Sequence, residues 1–341
     1  MTGTTLDLFA GAGGTSLGFT WAGRSVTGIE LDNDAALTHI EAGHGVTVRA
    51  DVRHLDPIDY AGVDHLHASP PCQTFTMSGG KRGGRRYIED LVVEVKRVLA
   101  GDNAELAVED ERTLLTLEPA RWLHHLRPRV ITFEQVPAVA PVWDAYASAL
   151  GELGYSTWAG LLDAEQYGAP QARRRAWLVA RLDGIEARPP RPTHSRYYMR
   201  SPQKLDDGVR RWARMVAALP LLDRSYLCTG GIAGEGRPRP VTHPAPTITG
   251  RGAAQWLDHH GQYVRPWPHR PDTGPLDREP AFSPSNVSTA ETAALQGFPI
   301  GYKLAGGITS RYRQAGNAVP PQVAAAVAGD LDKRRHLRGM A

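Results

Sequence analysis

Apolar and polar positions in roughly the first 180 residues follow two alternating periods. Residues 4–10, 25–31, 46–50, 65–69 and 130–133 are short, mostly apolar runs, the pattern of strands buried in a sheet. Between them, helices are expected up to about Trp21, over 35–42, 90–99 and 112–125, and near 143–150. Two more strands are expected at 156–162 and 176–181. Strands alternating with helices of this length predict an α/β fold built on a parallel, doubly wound, Rossmann-like sheet. Ligands in such a sheet sit at the carboxyl ends of the strands. Beyond residue 182 the texture changes. Segments 188–194, 230–246 and 265–275 are rich in Pro, Gly and Arg, and one amphipathic helix is expected at 203–218. Helical character returns near Ser288, and a closing helix is expected over 321–331. The division expected is a first domain over 1–182, a smaller irregular domain over 183–278, and a segment over 279–341 that returns to the first.

Composition adds little until it is mapped along the chain. With 41% hydrophobic and 22% charged residues, the 341-residue chain can bury a core without covalent staples. No basic region leads into an apolar run at the N-terminus, and no stretch approaches 18 apolar residues. No membrane association is therefore expected, and the expected location is cytoplasmic. The two cysteines, Cys72 and Cys228, form no C-x-x-C pair, which argues for a reducing compartment and against a thiolate metal site. The net charge is only +3, but residues 183–278 carry 15 Lys/Arg against 9 Asp/Glu, and the rest of the chain is slightly acidic. A basic segment on a neutral body suits a polyanion, although a solvated arginine-rich surface gives the same count.

The strand ends carry the unusual residues. Leu6-Asp7-Leu8-Phe9-Ala10-Gly11-Ala12-Gly13-Gly14 reads as a strand, a glycine turn and a helix start, where free N–H groups and a close backbone approach suit a ligand. Glu30 ends the second strand at the position of a ribose-binding acid, and Asp51 ends the third, where it could accept from an adenine amino group. Together they point to an adenosine-containing cofactor without deciding between NAD and S-adenosylmethionine. Cys72, in Ser69-Pro70-Pro71-Cys72-Gln73, follows the fourth strand, and two prolines stiffen its turn. On spacing alone it is either a nucleophile or a small buried side chain. The Gly- and Arg-rich run at 79–86 after it suits a loop closing on phosphates.

The order of these motifs resembles the DNA cytosine-5 methyltransferase family. The resemblance rests on the turn at 9–14, Glu30, Asp51, Pro-Pro-Cys-Gln at 70–73, Glu134, Gln171-Ala172-Arg173-Arg174-Arg175, and Gly316-Asn317-Ala318-Val319. It covers about 1–182 and 279–331, with the basic insert unmatched. The resemblance implies a methyltransferase sheet that binds S-adenosylmethionine, with the insert as a target-recognition domain. It gives Cys72 the attack on C6 of cytosine. Glu134, beside apolar residues, would share a proton with N3, and Arg173 and Arg175, alternating on one strand, would approach the base. The chain has Gln135 where the family more commonly has Asn.

The implied cofactor set is Phe9, Gly11, Gly13, Gly14, Glu30, Leu31, Asp51, Val52, Pro71, Leu115 and Asn317. Gln73, Ser78, Lys81, Arg82 and Arg85 in the loop, with Arg237, Arg239, Thr249 and Arg251 in the insert, are the expected DNA contacts. Arg210, Arg211 and Arg214 could face phosphates or merely cover a polar face. The expected partner is double-stranded DNA with the target base flipped out, and the expected state is a monomer. A cognate restriction endonuclease would act separately. The rival readings are the same chemistry on tRNA and a non-catalytic DNA-binding scaffold. A base deaminase would need a zinc site that this sequence does not offer.

Overall fold

Strands β1 (Thr4–Leu8), β2 (Ser25–Glu30), β3 (Val46–Arg49), β4 (His65–Ala68), β5 (Val130–Gln135), β6 (Ser156–Asp163) and β7 (Arg174–Arg181) form one sheet in the computed structural model of this chain. The structure describes residues 3–71, 73–75, 84–103, 106–219, 225–229, 238–250, 254–260, 262–264 and 287–338. The strand order is β3-β2-β1-β4-β5-β7-β6. All neighbours pair in parallel except β7, which runs antiparallel to both β5 and β6. The sheet is therefore mixed rather than wholly parallel, because β6 and β7 follow one another without a crossover helix. Chain order reverses between β1 and β4, which makes the carboxyl ends of these two strands the switch point where such sheets bind ligands.

Two compact units are present. The first comprises Met1–Asp163, Arg174–Arg191 and Ala324–Ala341, and the second Ala164–Arg173 and Pro192–Val323. In the first unit, α1 (Gly14–Trp21), α2 (Asn33–Glu41), α3 (Ile88–Ala100), α4 (Glu118–Leu126) and α5 (Ala140–Glu152) accompany the strands. Helix α3 shows why. Leu91, Val95, Val98 and Leu99 recur at helical spacing and are buried, and the helix stops at Gly101 with φ 104°. The helix expected over 112–125 divides into a 3-10 turn, Glu111–Thr116, and α4, whose first turn holds Pro119.

In the second unit, β8 (Tyr226–Thr229), β9 (Arg239–Pro240), β10 (Ala254–Leu257) and β11 (Tyr263–Val264) make an antiparallel sheet in the order β11-β10-β8-β9. Of the helix expected over 203–218 only α6 (Met215–Ala218) is helical. Asp206 instead accepts from the Arg196 N–H and the Tyr198 hydroxyl, and Gly208 is left-handed with φ 72°. An aspartate bonded to a turn and a left-handed glycine both oppose helix. Helices α7 (Thr289–Gln296) and α8 (Ile308–Asn317) follow, and then α9 (Pro321–Arg338). Ser288 and Glu291 form a reciprocal cap at the start of α7. No helix among the described residues is long and apolar enough to cross a membrane.

The main sheet buries both faces, and they differ in chemistry. One face carries Leu6, Leu8, Leu66, Ala68, Ile131 and Phe133 into a core with Trp122, Trp143 and Tyr146. Alternate positions put Thr5, Asp7, His65, His67 and Thr132 on the other face, all buried. The Thr132 hydroxyl lies 2.7 Å from His65 Nε2 and 2.8 Å from His67 Nδ1, and Thr5 Oγ1 lies 3.2 Å from His65 Nδ1. Burial lowers both histidines, His67 to about 3. Their neutral form belongs to the fold, while the unfolded chain protonates them below about pH 6.5. The stability they contribute is complete above that pH and falls as pH drops toward the native values. Urea unfolding at pH 7 and pH 5 should show the loss. His67→Phe, which leaves Thr132 paired with His65, should reduce the difference by about 2 kcal/mol. An unchanged difference would contradict the assignment.

Candidate active site

The loop after β1 begins with backbone strain. Phe9 has φ 64°, a left-handed conformation costly for a bulky side chain, and Gly11 and Gly13 follow with φ 55° and 84°. Gly13 is the N-cap of α1 and brings no side-chain bond to its first turn, so the N–H groups there face the loop. A Cβ on Gly13 would stand 2.6 Å from the His44 ring, so the turn admits only glycine there. The Gly11 position is open, with only the Phe9 carbonyl at 4.0 Å from such a Cβ. This leaves the backbone bare on its outer side. Gly14 opens the helix and is buried.

Glu30 locks the turn in place. Its Oε2 accepts from the Gly11 N–H at 2.8 Å and its Oε1 from the Asp32 N–H at 2.7 Å. Burial pushes the Glu30 carboxyl up, against the backbone bonds that favour its charge. A carboxylate oxygen has two lone pairs, so these bonds leave acceptor capacity for hydroxyls of a ligand. Leu31 beside it is 61% exposed, an apolar surface next to the acid. Asp51 behaves differently. It caps the 3-10 turn Val52–His54, and its carboxylate takes the Arg53 guanidinium through bonds as short as 2.7 Å, which holds it below the usual carboxylate range. Val52 is buried in the core, while Leu115 lines a cleft of about 470 Å³ with Arg53, Val98, Leu114 and Glu118.

Beneath the turn runs a buried polar chain that the sequence reading did not foresee. The Ser16 hydroxyl donates to Asp7 Oδ2 (2.6 Å), His39 Nε2 lies 2.9 Å from Ser16 Oγ, and His39 Nδ1 lies 2.7 Å from Thr47 Oγ1. Burial raises Asp7 to about 7, opposed by Ser16 and reinforced by the Glu30 charge, and burial lowers His39 to about 4. A lone acid in an apolar strand was the available signal. His39 sits where a Cβ on Gly28 would fall 2.8 Å from its ring, so it fixes the spacing of β2 and the turn.

The ends of β4 and β5 lie side by side, with Ala68 opposite Phe133. The Ser69 N–H donates to the Leu8 carbonyl, which joins the β4 loop to β1. Gln135 joins it to β5. Its Nε2 donates to the Pro70 carbonyl at 2.5 Å and its Oε1 accepts from the Val136 N–H at 2.6 Å. Pro71 is half-buried, and Cys72 lies outside the described residues, as do Ser78, Lys81, Arg82, Arg237 and Arg251. Glu134 is almost wholly buried, and Arg175 Nε stands 3.2 Å from its Oε1. The expected apolar surroundings of this acid therefore include a guanidinium.

Arg173 does not share the strand with Arg175, because β7 starts at Arg174. Its terminal nitrogens donate to the carbonyls of Ile248 and Gly316, both at 2.9 Å. Gln171 accepts from the Ile248 N–H and donates to Gln296, so 171–173 acts as a strap through the second unit. Gly316 has backbone reasons to be glycine, since a Cβ there would fall 2.1 Å from the Gly250 nitrogen. Asn317 ends α8 and is exposed, as is Thr249. Arg239 stacks on Tyr197 at 5.0 Å and donates to the Pro244 carbonyl. Arg85 donates to the Phe75 carbonyl at 2.8 Å, and Gln73 is half-buried.

The family model for C-5 cytosine-specific DNA methylases matches residues 3–211 and 249–333. Curated relatives include the type II methyltransferase M1.HphI of Haemophilus parahaemolyticus, 27% identical over 95% of this chain and 85% of that protein. Another is M.NlaX of Neisseria lactamica, 27% identical over 96% of this chain and 95% of that protein. Among solved structures, S. pombe Dnmt2 methyltransferase superposes with a TM-score of 0.62 at 16% identity, covering 98% of this chain and 99% of that one. The Entamoeba histolytica methyltransferase EhMeth gives 0.60 at 13%, with 98% and 99% covered. The chain belongs to the C-5 cytosine-specific DNA methylase family. Its reaction class is that of a DNA cytosine-5 methyltransferase.

Gln135 is the positioning residue that this geometry adds to the family's motifs. Removing its amide orphans a buried carbonyl, a cost of about 1–3 kcal/mol, and frees the turn that leads into Cys72. Gln135→Ala should lower kcat for methyl transfer about 10- to 100-fold, since small misplacements of reacting groups cost this much. Gln135→Asn should recover part of it. Full activity of the alanine variant would remove the role.

Proposed function

We propose that this protein moves a methyl group from S-adenosylmethionine to C5 of a cytosine flipped out of duplex DNA, through a covalent bond between Cys72 and C6. The observation that carries the reading is the joined end of β4 and β5. Glu134 and Arg175 pair there, and Gln135 of the same strand grips the residue two before Cys72. S-adenosylmethionine, when bound, supplies an electrophilic methyl group. The bare glycine turn, the Glu30 carboxylate and the exposed Leu31 fit its adenosine and amino-acid portions. Phe9, Gly11, Gly13, Gly14, Glu30, Leu31 and Pro71 are assigned to hold it, with Asp51, Val52 and Leu115 along the adenine side.

The chemistry follows from what cytosine lacks. Its C5 is a poor nucleophile until the Cys72 thiolate adds to C6 and pushes electron density onto C5. Glu134 holds a proton at N3 as that density develops, and Arg175 keeps the carboxylate oriented toward the ring edge. C5 would then take the methyl group as its bond to the sulfonium sulfur breaks and leaves a neutral thioether, and loss of the C5 proton to a base expels the thiolate from C6 as the double bond returns. Arg173 is assigned to the strap that shapes the second unit rather than to the base. Gln73 and Arg85 are assigned to contact the DNA.

The insert selects the sequence. The type II relatives make a site-specific duplex the expected substrate and a separately acting restriction endonuclease the expected companion. The enzyme is proposed to act as a monomer in the cytoplasm. The test is transfer of labelled methyl groups to duplex DNA and to tRNA, with Cys72→Ala alongside. Label on duplex cytosine, none on tRNA, and a loss of at least about 10³-fold in the variant are expected. Transfer to tRNA alone would replace DNA as substrate. No transfer by the wild type would favour a binding scaffold.

A further inference from the structure

We infer that a cleft in the second unit, formed by Arg211, Arg214, Thr242 and His243 with Trp212 as a wall, binds one phosphodiester of the DNA backbone. The cleft encloses about 470 Å³, and its other lining residues are Ala213 and Ala217. None of the seven is acidic, so the lining offers no charge that would compete for its cations. Arg211 and Arg214 are exposed, and among the described residues neither forms a carboxylate pair. This separates them from Arg53, Arg112, Arg129 and Arg174, each of which has an aspartate partner.

The wall of the cleft is built to hold a fixed ligand. Tyr197, Trp212 and His243 form a mutual triad with ring centroids 5.3–5.6 Å apart, Trp212 meeting both of the others edge to face and Tyr197 tilted against His243. Arg211 lies over the Trp212 ring at 5.2 Å. Trp212 is 98% buried, yet its indole N–H has no acceptor among the described residues. His243 Nδ1 is likewise buried without a partner. A buried donor left unpaired is costly, and both atoms belong to residues that line the cleft. Burial, with Arg239 and Arg211 nearby, lowers His243. The titratable groups facing that ring are therefore two guanidinia and the Tyr197 phenol.

Two guanidinia beside a threonine hydroxyl make a cationic lining rich in donors, which suits the oxygens of a phosphate. The sequence left these arginines undecided between phosphates and a polar helix face. Residues 210–214 are not helical, and Arg211 and Arg214 line one cavity. Phosphate contacts position a protein on DNA without reading sequence. The cleft thus sets how the second unit sits on the duplex, whatever the bases.

This assignment rests on duplex DNA as the substrate. The test uses the full chain, with fluorescence anisotropy on two labelled duplexes, one bearing the target site and one unrelated. Salt is varied between about 50 and 200 mM. The Arg211→Gln/Arg214→Gln double variant should bind both duplexes about 10-fold more weakly. Its slope of log affinity against log salt should be shallower by about 1, the value of one lost phosphate contact. Arg211→Lys/Arg214→Lys should keep the slope. Thr242→Asp, a change at an exposed position, should weaken both duplexes alike and decides the matter if the double variant fails to fold. Unchanged affinity and slope, or weakening confined to the target duplex, would overturn the cleft's role while leaving the enzyme's substrate intact. Weakening seen with tRNA and not with duplex DNA would assign the cleft to RNA and overturn the proposal. A wild type that binds no duplex would overturn the substrate reading itself.

Discussion

One side-chain amide fastens the end of β5 to the turn that carries the cysteine. Gln135 spends both halves of its amide on backbone, one on Pro70 and one on Val136, in a place sealed from water. Glu134 precedes it on the same strand and meets Arg175 across the β5–β7 pairing. Two prolines, Pro70 and Pro71, stiffen the other side of the turn. A site built on two central parallel strands inherits their rigidity, which suits a reaction that needs a thiol and an acid held on one small ring.

The cofactor side is organised by a second constraint, a polar sheet face that is nonetheless buried. Asp7, Ser16 and His39 lie directly under the glycine turn, and Thr132 links His65 and His67 further along. Leucines on that face would be cheaper. The polar residues instead give the turn hydrogen-bonded footing, with Glu30 tying Gly11 from the side. The cost is a fold that depends on neutral histidines and on an aspartic acid pushed up to about 7. Asp7 opposes the histidines in pH: its contribution is complete at low pH and is lost as pH rises through about 7.

Much of this was legible from periodicity and strand ends. The β1 turn, Glu30 and the sheet's strands could be read because each depends on local pattern, whereas the acid at 134 was singled out by the family resemblance. Other features depend on partners distant in sequence. The antiparallel course of β7, the Arg173 strap to Ile248 and Gly316, and the Gln135 clasp each join residues dozens of positions apart or more. Gln135 stood out only as a departure from the commoner Asn, and its bond to Pro70 lies 65 positions away in sequence. The helix expected over 203–218 failed because Asp206 and Gly208 favour a bonded turn over an apolar stripe. Arg239 was read as a DNA contact by charge, and its stacking on Tyr197 and bond to Pro244 were not legible because both partners are set by the fold.

The central claim is that Cys72 forms a bond to the target base. The chain has two cysteines, so the bond can be located without ambiguity. Duplex DNA carrying 5-fluorocytosine at the methylated position blocks the final loss from C5 and holds the adduct. Digestion of the trapped complex followed by mass spectrometry reads which cysteine peptide carries the nucleotide. The expected result is the adduct on the peptide containing Cys72, and none on that containing Cys228. An adduct on Cys228, or no adduct from enzyme that still methylates ordinary duplex DNA, would contradict it.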